Sequence, residues 1–269
     1  MKKFIKVSRL AALGRIKEEC VFLAGGTDIY VALNDGALAC ATLCDISPLK
    51  TLDGIKLKGK NISVGALTTF ASIAKSAVIK KYAACLAEAA QEVGSPQIRN
   101  RATIGGNVAN GSPSGDSIPA LYVLKALIKT NRRSVAVEQF FTGPKRTVLK
   151  KNELITEILI PRKKTVSSFM KIGARKALAI SKVSAAAALD IRGGIITEAS
   201  IAFGAVGPTV IRCGKTGEFL TGKKLSGNVI AKASQIAAGE ICPIDDCRSS
   251  AKYRRECAAV ILTRILRNN

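Results

Sequence analysis

The first part of the chain carries short apolar runs, each bordered by residues that favour turns. Residues 21–24 (Val-Phe-Leu-Ala) form a run that is typical of a buried strand. Gly25-Gly26-Thr27-Asp28 follows directly, and a second apolar run occupies residues 29–33. Residues 62–66 form another short run after Gly59-Lys60-Asn61, which predicts a hairpin. The pattern therefore predicts a buried strand at residues 21–24 and short strands from Asp45 to Gly65.

Helical spacing marks the middle of the chain. The apolar positions of residues 83–93 recur at i, i+3, i+4 and i+7, which predicts one face of a helix. Thr68 or Thr69 can cap an earlier helix that begins near Phe70, because a threonine hydroxyl accepts a hydrogen bond from the first turn. Residues 117–127 predict a further helix.

Strands followed by helices fill the last part of the chain. Residues 183–191 and 195–203 predict an antiparallel pair around the turn Gly193-Gly194. Two helices follow, and their apolar spacing involves Val229, Ala233, Ile236 and Ala237, then Tyr253, Cys257, Val260 and Ile261. This order of elements predicts an α+β fold. The polar and basic residues 161–166 are the best candidate for a domain boundary.

Residues 101–116 (Arg-Ala-Thr-Ile-Gly-Gly-Asn-Val-Ala-Asn-Gly-Ser-Pro-Ser-Gly-Asp) are dense in turn-forming residues and predict a long loop between two helices. Gly105 and Gly106 have no side chain to block a ligand, so their N–H groups can approach an anion. Asp116 is the one carboxylate, and it would repel a phosphate. A binding loop and a plain turn with a helix cap both remain open for this segment.

Gly25-Gly26 changes that balance, because two glycine loops in one chain can hold the two phosphates of a diphosphate. Neither loop matches the dinucleotide fingerprint Gly-x-Gly-x-x-Gly, and the chain has no phosphate-binding Gly-x-x-x-x-Gly-Lys-Ser/Thr motif. The glycine pairs alone are therefore a weak signal for any particular ligand.

Composition excludes several kinds of chemistry. The chain has no histidine, which rules out Ser-His-Asp and Cys-His nucleophilic sites and histidine-ligated zinc. Its eight cysteines contain no Cys-x-x-Cys and neither common iron–sulfur spacing, so they predict reduced, mostly buried thiols of a cytoplasmic protein. No apolar run approaches ~20 residues and no signal peptide is evident, so we expect no membrane association. A redox cofactor would be organic.

Charge is the other unusual feature, since 42 basic and 19 acidic residues give a formal net charge of +23. Nucleic-acid binding is the simplest explanation of such a balance. Aromatic residues make up only 4% of the chain and Trp is absent, however, so the stacking platforms of single-strand binders are missing. Acidic partner subunits or an anionic cofactor fit the charge as well, and we expect no nucleic-acid partner.

Several motifs together resemble one family. Residues 23–28 (Leu-Ala-Gly-Gly-Thr-Asp), residues 97–107 (Gln-Ile-Arg-Asn-Arg-Ala-Thr-Ile-Gly-Gly-Asn) and Asp116 resemble the FAD-binding subunit of the molybdenum hydroxylases, which include bacterial xanthine dehydrogenase and aerobic CO dehydrogenase. Further likeness, in family order, covers nearly the whole chain: Val64-Gly-Ala-Leu-Thr-Thr69, Phe140-Phe-Thr-Gly-Pro144, Glu153-Leu-Ile-Thr-Glu-Ile158, Ala177-Leu-Ala-Ile-Ser181 and Ala202-Phe-Gly-Ala-Val206.

The resemblance implies a p-cresol-methylhydroxylase-type FAD domain over residues 1–161, with α+β subdomains of about 1–54 and 55–161, and a CO-dehydrogenase-flavoprotein-like α+β domain over 166–269. It places FAD at a first loop of Phe22, Leu23, Ala24, Gly25, Gly26, Thr27, Asp28 and Ile29. It places a second loop at Thr103, Ile104, Gly105, Gly106, Asn107 and Asn110. Asp116 would lie near the ribose and diphosphate, Leu154 and Ile155 near the adenine, and Lys171 at the flavin edge. Asp116 and Lys171 also have plain alternatives, a helix cap and a surface charge.

The implied role is electron relay, with no catalytic residue and no metal ligand on this chain. A large molybdopterin subunit would hydroxylate the substrate, and a small subunit with two [2Fe-2S] clusters would pass electrons to FAD and then to NAD or another acceptor. Residues 208–213 and 110–117 most resemble xanthine dehydrogenase subunits, which implies xanthine or a related purine, while nicotinate, aldehydes and CO remain open. The competing hypotheses are a stand-alone FAD oxidoreductase of the same fold and a basic nucleic-acid-binding protein.

Overall fold

A computed structural model describes residues 3–16, 18–38, 42–175 and 177–268. The N-terminal part is a parallel sheet of order β1-β3-β2, built from β1 Lys3–Lys6, β2 Cys20–Leu23, α1 Ile29–Asn34 and β3 Thr42–Asp45. The strand predicted at residues 21–24 is confirmed as β2. The apolar run at residues 29–33 forms α1, so a strand–loop–helix unit surrounds Gly25-Gly26.

The middle part is a five-stranded antiparallel sheet of order β4-β5-β10-β6-β7, covered by helices on one face. The β4–β5 hairpin predicted at Gly59-Lys60-Asn61 is confirmed, and Thr69 caps α2 by accepting the Ser72 N–H at 3.2 Å. The elements are β4 Ile55–Lys58, β5 Asn61–Gly65, α2 Phe70–Lys75, α3 Ala77–Tyr82, α4 Ala84–Glu92, α5 Pro96–Arg99, α6 Ile104–Asn110, α7 Ser117–Val123, β6 Leu127–Thr130, β7 Ser134–Ala136, β8 Phe141–Gly143, β9 Arg146–Thr147 and β10 Ile155–Pro161.

The prediction of a long loop at residues 101–116 is wrong in part, because the centre of this segment is helix α6. The Thr103 hydroxyl caps this helix by accepting the Gly106 N–H at 3.1 Å, and Gly111 ends it at φ +59°. A Cβ on Gly105 would lie 2.6 Å from the Ala66 carbonyl oxygen. The glycine that weakens local helix propensity is therefore what lets the helix pack against the end of β5.

The C-terminal part is a four-stranded antiparallel sheet, β11-β12-β13-β14, with three helices on one face. Alanines of β12 alternate between the two faces, and both faces are buried: Ala185 and Ala187 meet these helices, while Ala186 and Ala188 join the core of the middle part. The predicted pair at Gly193-Gly194 is confirmed. The elements are β11 Val166–Ile172, β12 Val183–Arg192, β13 Ile195–Gly204, β14 Ile211–Arg212, α8 Gly214–Leu220, α9 Gly227–Glu240 and α10 Ala251–Arg267.

The whole is an α+β fold, as the order of elements predicts. The domain boundary expected at residues 161–166 falls between β10 and β11 and stays a prediction. Across the described ranges, no helix is long and apolar enough to cross a bilayer. The end of β2, the helix α6 and the loops of the C-terminal sheet all border one cavity.

Candidate functional site

This cavity has a volume of about 1020 Å³, at the upper end of the range of about 300–1,000 Å³ for small-molecule sites. Twelve of the eighteen predicted site residues line it, and they come from both glycine-rich segments. These twelve are Phe22, Ala24, Gly25, Gly26, Thr27, Asp28, Ile29, Thr103, Gly106, Asn107, Asn110 and Asp116. The structure thus brings together two segments that lie far apart in the sequence.

The first glycine segment presents free backbone donors to the cavity. The N–H groups of residues 25–28 donate to no backbone acceptor within the part of the chain that the structure describes. Consecutive free N–H groups of this kind form an anion-binding concavity. A Cβ on Gly25 would lie 2.0 Å from the Arg101 carbonyl oxygen, and Gly26 has φ +82°. Both glycines are therefore required by the backbone that shapes this concavity.

The second glycine segment offers side chains rather than backbone donors. The Gly105 N–H donates to the Ala66 carbonyl at 2.9 Å, and the Gly106 N–H donates to Thr103 Oγ1 at 3.1 Å. Their absent side chains still matter, because Gly106 leaves open space where α6 faces the cavity. A ligand on this side would meet the hydroxyl of Thr103 and the amide of Asn107.

A hydrogen bond joins the two segments across the cavity. Asn110 Nδ2 donates to Asp28 Oδ1 at 3.1 Å, and Asn107 Oδ1 accepts from the Ser117 hydroxyl at 2.7 Å, which orients the Asn107 amide. Burial raises the pKa of Asp28 above its ordinary value, and the nearby charge of Lys145 opposes the rise. The two loops therefore hold a defined geometry through their own side chains.

Asp116 belongs to a buried ion pair at the cavity wall. Lys171 Nζ lies 2.7 Å from Asp116 Oδ2 and donates to the Glu92 carbonyl at 2.6 Å, while the Ser181 hydroxyl donates to Asp116 Oδ1 at 2.6 Å. Burial raises the pKa of Asp116, and Lys171 and Ser181 oppose that rise. Lys171 does not line the cavity, so its place at the flavin edge stays a prediction.

We expect Lys171→Met to lower the free energy of unfolding by about 3 kcal/mol at pH 8, because a buried carboxylate loses its counter-charge. The raised folded-state pKa of Asp116 means that stability decreases as pH rises above the ordinary value of 3.8. Without Lys171 the folded-state pKa of Asp116 rises further, so this decrease in stability extends to higher pH. The loss caused by Lys171→Met should therefore be smaller at pH 5 than at pH 8. Urea unfolding at both pH values measures it.

Lys3→Met is the matched control, because the Lys3–Glu18 pair is exposed and such pairs contribute about 0–1 kcal/mol. An equal loss at pH 5 and pH 8 for Lys171→Met would show that the ion pair is not the cause.

The remaining predicted residues are buried behind the cavity wall. Leu154 packs with the core of the N-terminal sheet, and Ile155 packs with the core of the middle part. Leu23 and Ile104 are also buried, 6% and 0% exposed. Contact of Leu154 and Ile155 with an adenine ring stays a prediction, while Leu23, Ile104 and Gly105 support the loops from behind.

Sequence reasoning missed the C-terminal contribution to this cavity. Residues 178–181, 205, 207 and 208 line it, together with Lys145 and a cluster in which the buried guanidinium of Arg254 donates to Asp246 Oδ1 at 2.7 Å. The motifs at residues 177–181, 202–206 and 208–213 include part of this lining, but the sequence did not assign any of these residues to the site. Apolar residues at the cavity are also unusually exposed: Leu178 52%, Ile180 55% and Ile244 69%.

The cavity suits a dinucleotide cofactor by its donor set as well as by its size. Free N–H groups lie on one side, neutral side chains lie on the other, and apolar residues line the rest. Fold and cavity therefore define a binding site for a phosphate-bearing cofactor. Among the described residues, no group of three His, Cys, Asp or Glu side chains is placed to hold a metal ion.

Comparison with known families agrees with this class. Residues 4–163 match the FAD binding domain in molybdopterin dehydrogenase, and residues 168–269 match the CO dehydrogenase flavoprotein C-terminal domain. The chain therefore belongs to the family of FAD-binding medium subunits of the molybdenum hydroxylases, and its cofactor is FAD.

Individual relatives support the same assignment. The chain is 32% identical to the nicotinate dehydrogenase FAD-subunit of Eubacterium barkeri, over 87% of this chain and 82% of the relative. It is 29% identical to the xanthine dehydrogenase FAD-binding subunit of Escherichia coli O157:H7, over 86% and 82%. A chain of carbon monoxide dehydrogenase from Hydrogenophaga pseudoflava superposes with a TM-score of 0.93 at 26% identity, covering 98% of this chain and 96% of that chain.

Proposed function

We propose that the chain is the electron-relay subunit of a molybdopterin-dependent hydroxylase. It receives electrons from the [2Fe-2S] clusters of a small partner subunit and passes them to NAD or another acceptor, while a large partner subunit carries the molybdenum cofactor. The main support is the single cavity in which residues 24–29 and 103–110 meet, joined by the 3.1 Å bond between Asn110 and Asp28. FAD supplies the electron transfer, and the protein supplies binding and orientation.

The chain's own residues bind and orient the cofactor in this proposal. The N–H groups of residues 25–28 hold phosphate oxygens, and the side chains of Thr103 and Asn107 bind from the opposite side. The ion pair of Asp116 and Lys171 fixes the wall between the middle and C-terminal parts. The side chains of Thr103 and Asn107 and the Asp116–Lys171 pair are already positioned by bonds within the protein, so little ordering of these groups remains when the ligand arrives.

Direct reduction of the bound flavin tests the relay role and the acceptor. The purified chain, loaded with FAD, should oxidise NADH in the presence of an artificial dye, and acid precipitation should release its flavin, since no histidine is present to form a histidyl link. If NADH does not reduce the bound flavin and a reduced quinone does, the acceptor is not NAD. A flavin that is bound but reduced by neither donor would contradict the relay role.

The substrate of the assembled hydroxylase is proposed to be xanthine or a related purine. This rests on the likeness of residues 208–213 and 110–117 to xanthine dehydrogenase subunits. Turnover of xanthine, nicotinate, an aldehyde and CO by the whole complex decides among the competing substrates. A higher kcat/KM for nicotinate, an aldehyde or CO than for xanthine would overturn the purine proposal and leave the relay role unaffected.

We also propose that the complex is cytoplasmic and that the +23 charge helps the chain to dock acidic partner subunits. Charge-driven docking weakens as salt shortens the Debye length. The seven cysteines that the structure describes are free thiols, in keeping with a reducing compartment.

A further inference from the structure

Lys145 occupies a backbone position that suits glycine better than lysine. It follows Pro144 in the two-residue turn between β8 and β9, and its φ is +54°. A type II turn with proline first requires a positive φ at the next residue, which glycine adopts without strain. A lysine there costs conformational free energy, and strained non-glycine residues gather at functional sites. The side chain of Lys145 is therefore a candidate for a specific task.

The turn holds Lys145 beside both cofactor-binding segments. The Lys145 N–H donates to the Gly111 carbonyl at 3.0 Å, which attaches the turn to the end of α6. Lys145 also lines the cavity. Its charge opposes the burial that raises the pKa of Asp28, so its ammonium acts on the first segment while its backbone contacts the end of the second. Lys145 thus lies between the two segments that face the diphosphate.

Charge balance at this end of the cavity needs a cation. The two segments are neutral apart from Asp28, and a diphosphate adds about two negative charges at neutral pH. Arg254 is buried and donates to Asp246, Lys182 and Ala205. Among the described residues, the Lys145 ammonium forms no ion pair within 4.0 Å, so it is free to contact a ligand, although its charge acts on Asp28 at longer range.

We propose that Lys145 binds the diphosphate of FAD and neutralises its charge across the cavity from the free N–H groups of residues 25–28. The proposal deepens the flavin site described above and rests on it. It also explains why the turn keeps a lysine where glycine would relieve the backbone. A phosphate contact through an ammonium is a charge-assisted hydrogen bond, which is stronger than a neutral one.

Fluorescence titration of the apoprotein with FAD tests the assignment. We expect Lys145→Met to weaken FAD binding by about tenfold in low salt, because one charge-assisted bond is lost. The difference from the unmodified protein should shrink as salt increases, since screening removes the charge contribution first. Lys145→Arg should bind nearly as tightly as the unmodified protein.

Two further variants separate charge from backbone. Lys145→Gly should weaken FAD binding as Lys145→Met does, while its apoprotein should melt at the same temperature or higher because the strain is relieved. Arg146→Met is the matched control, because Arg146 is the next residue, is exposed and does not line the cavity. It should leave FAD affinity unchanged.

The results distinguish this inference from the flavin site itself. If the unmodified protein binds FAD and Lys145→Met binds it equally tightly at low salt, Lys145 has no role in phosphate binding and the inference fails alone. If Arg146→Met weakens binding as much as Lys145→Met, the effect is general surface charge, which also overturns it. If the unmodified protein binds no FAD, the site assignment itself is wrong.

Discussion

Gly106→Val is expected to abolish FAD binding while the fold survives. Apart from its chain neighbours and the adjacent backbone of its own helix, a Cβ at this position would meet one neighbour within 4 Å among the described residues, Thr103 Oγ1 at 3.0 Å. The rest of the side chain would extend into the cavity. Valine would therefore occupy space where backbone meets ligand, and we expect affinity for FAD to fall by at least about 100-fold, or roughly 2.7 kcal/mol.

FAD titration combined with circular dichroism and thermal unfolding measures both parts of this result. Some loss of stability is expected, about 1 kcal/mol at most, because the new side chain crowds the Thr103 cap. Gly239→Val is the matched control: Gly239 lies in helix α9, away from the cavity, and an added Cβ would meet no described atom within 4 Å outside its chain neighbours and the adjacent backbone of its own helix. Stoichiometric FAD copurifying with Gly106→Val would show that Gly106 is only a structural residue.

Gly25→Ala, unlike Gly106→Val, should disrupt the fold and lose FAD binding with it. The added Cβ would lie 2.0 Å from the Arg101 carbonyl oxygen and 2.7 Å from the Arg101 carbonyl carbon. These are backbone atoms that cannot rotate away, so the first loop must separate from residues 101–102. We expect a loss of at least about 4 kcal/mol, the range reserved for severe backbone conflict.

Urea unfolding of Gly25→Ala, compared with Gly14→Ala, measures that loss. Gly14 lies in the N-terminal part with no atom within 4 Å of an added Cβ, so its variant should unfold as the unmodified protein does. A Gly25→Ala protein with unchanged stability and normal FAD content would mean that the contact between the first loop and Arg101 is incorrect.

Local patterns predicted the fold well where local chemistry decides it. The hairpin at Gly59-Lys60-Asn61, the Thr69 cap and the strand pair at Gly193-Gly194 all depend on turn or cap residues that act within a few positions. For residues 104–110 the local pattern predicted the wrong structure, because two glycines and two asparagines favour a turn locally. Helix α6 forms there because its cap and its close packing on Ala66 outweigh that preference.

The candidate site was predictable only in its N-terminal half. Gly25-Gly26 and Gly105-Gly106 could be recognised from composition, and the resemblance adds that these motifs occur in the order found in the family. The C-terminal lining, such as Arg254 and Ile180, reaches the cavity through the packing of a separate sheet. Ile180 lies in the motif at residues 177–181, but nothing in that motif indicates contact with the site. The place of Lys145 at the site could not be predicted either, because the sequence around it indicates a turn but neither the positive φ nor the cavity beside it.

Activity measured in parts tests the central claim most directly. The FAD-loaded chain alone should oxidise NADH, or another reduced acceptor, with an artificial dye and should hydroxylate no xanthine or other heterocycle. Adding the large molybdopterin subunit and the small [2Fe-2S] subunit should produce hydroxylation, and Gly106→Val in the same complex should block electron transfer to the acceptor. Hydroxylation of xanthine by the chain alone would contradict the account.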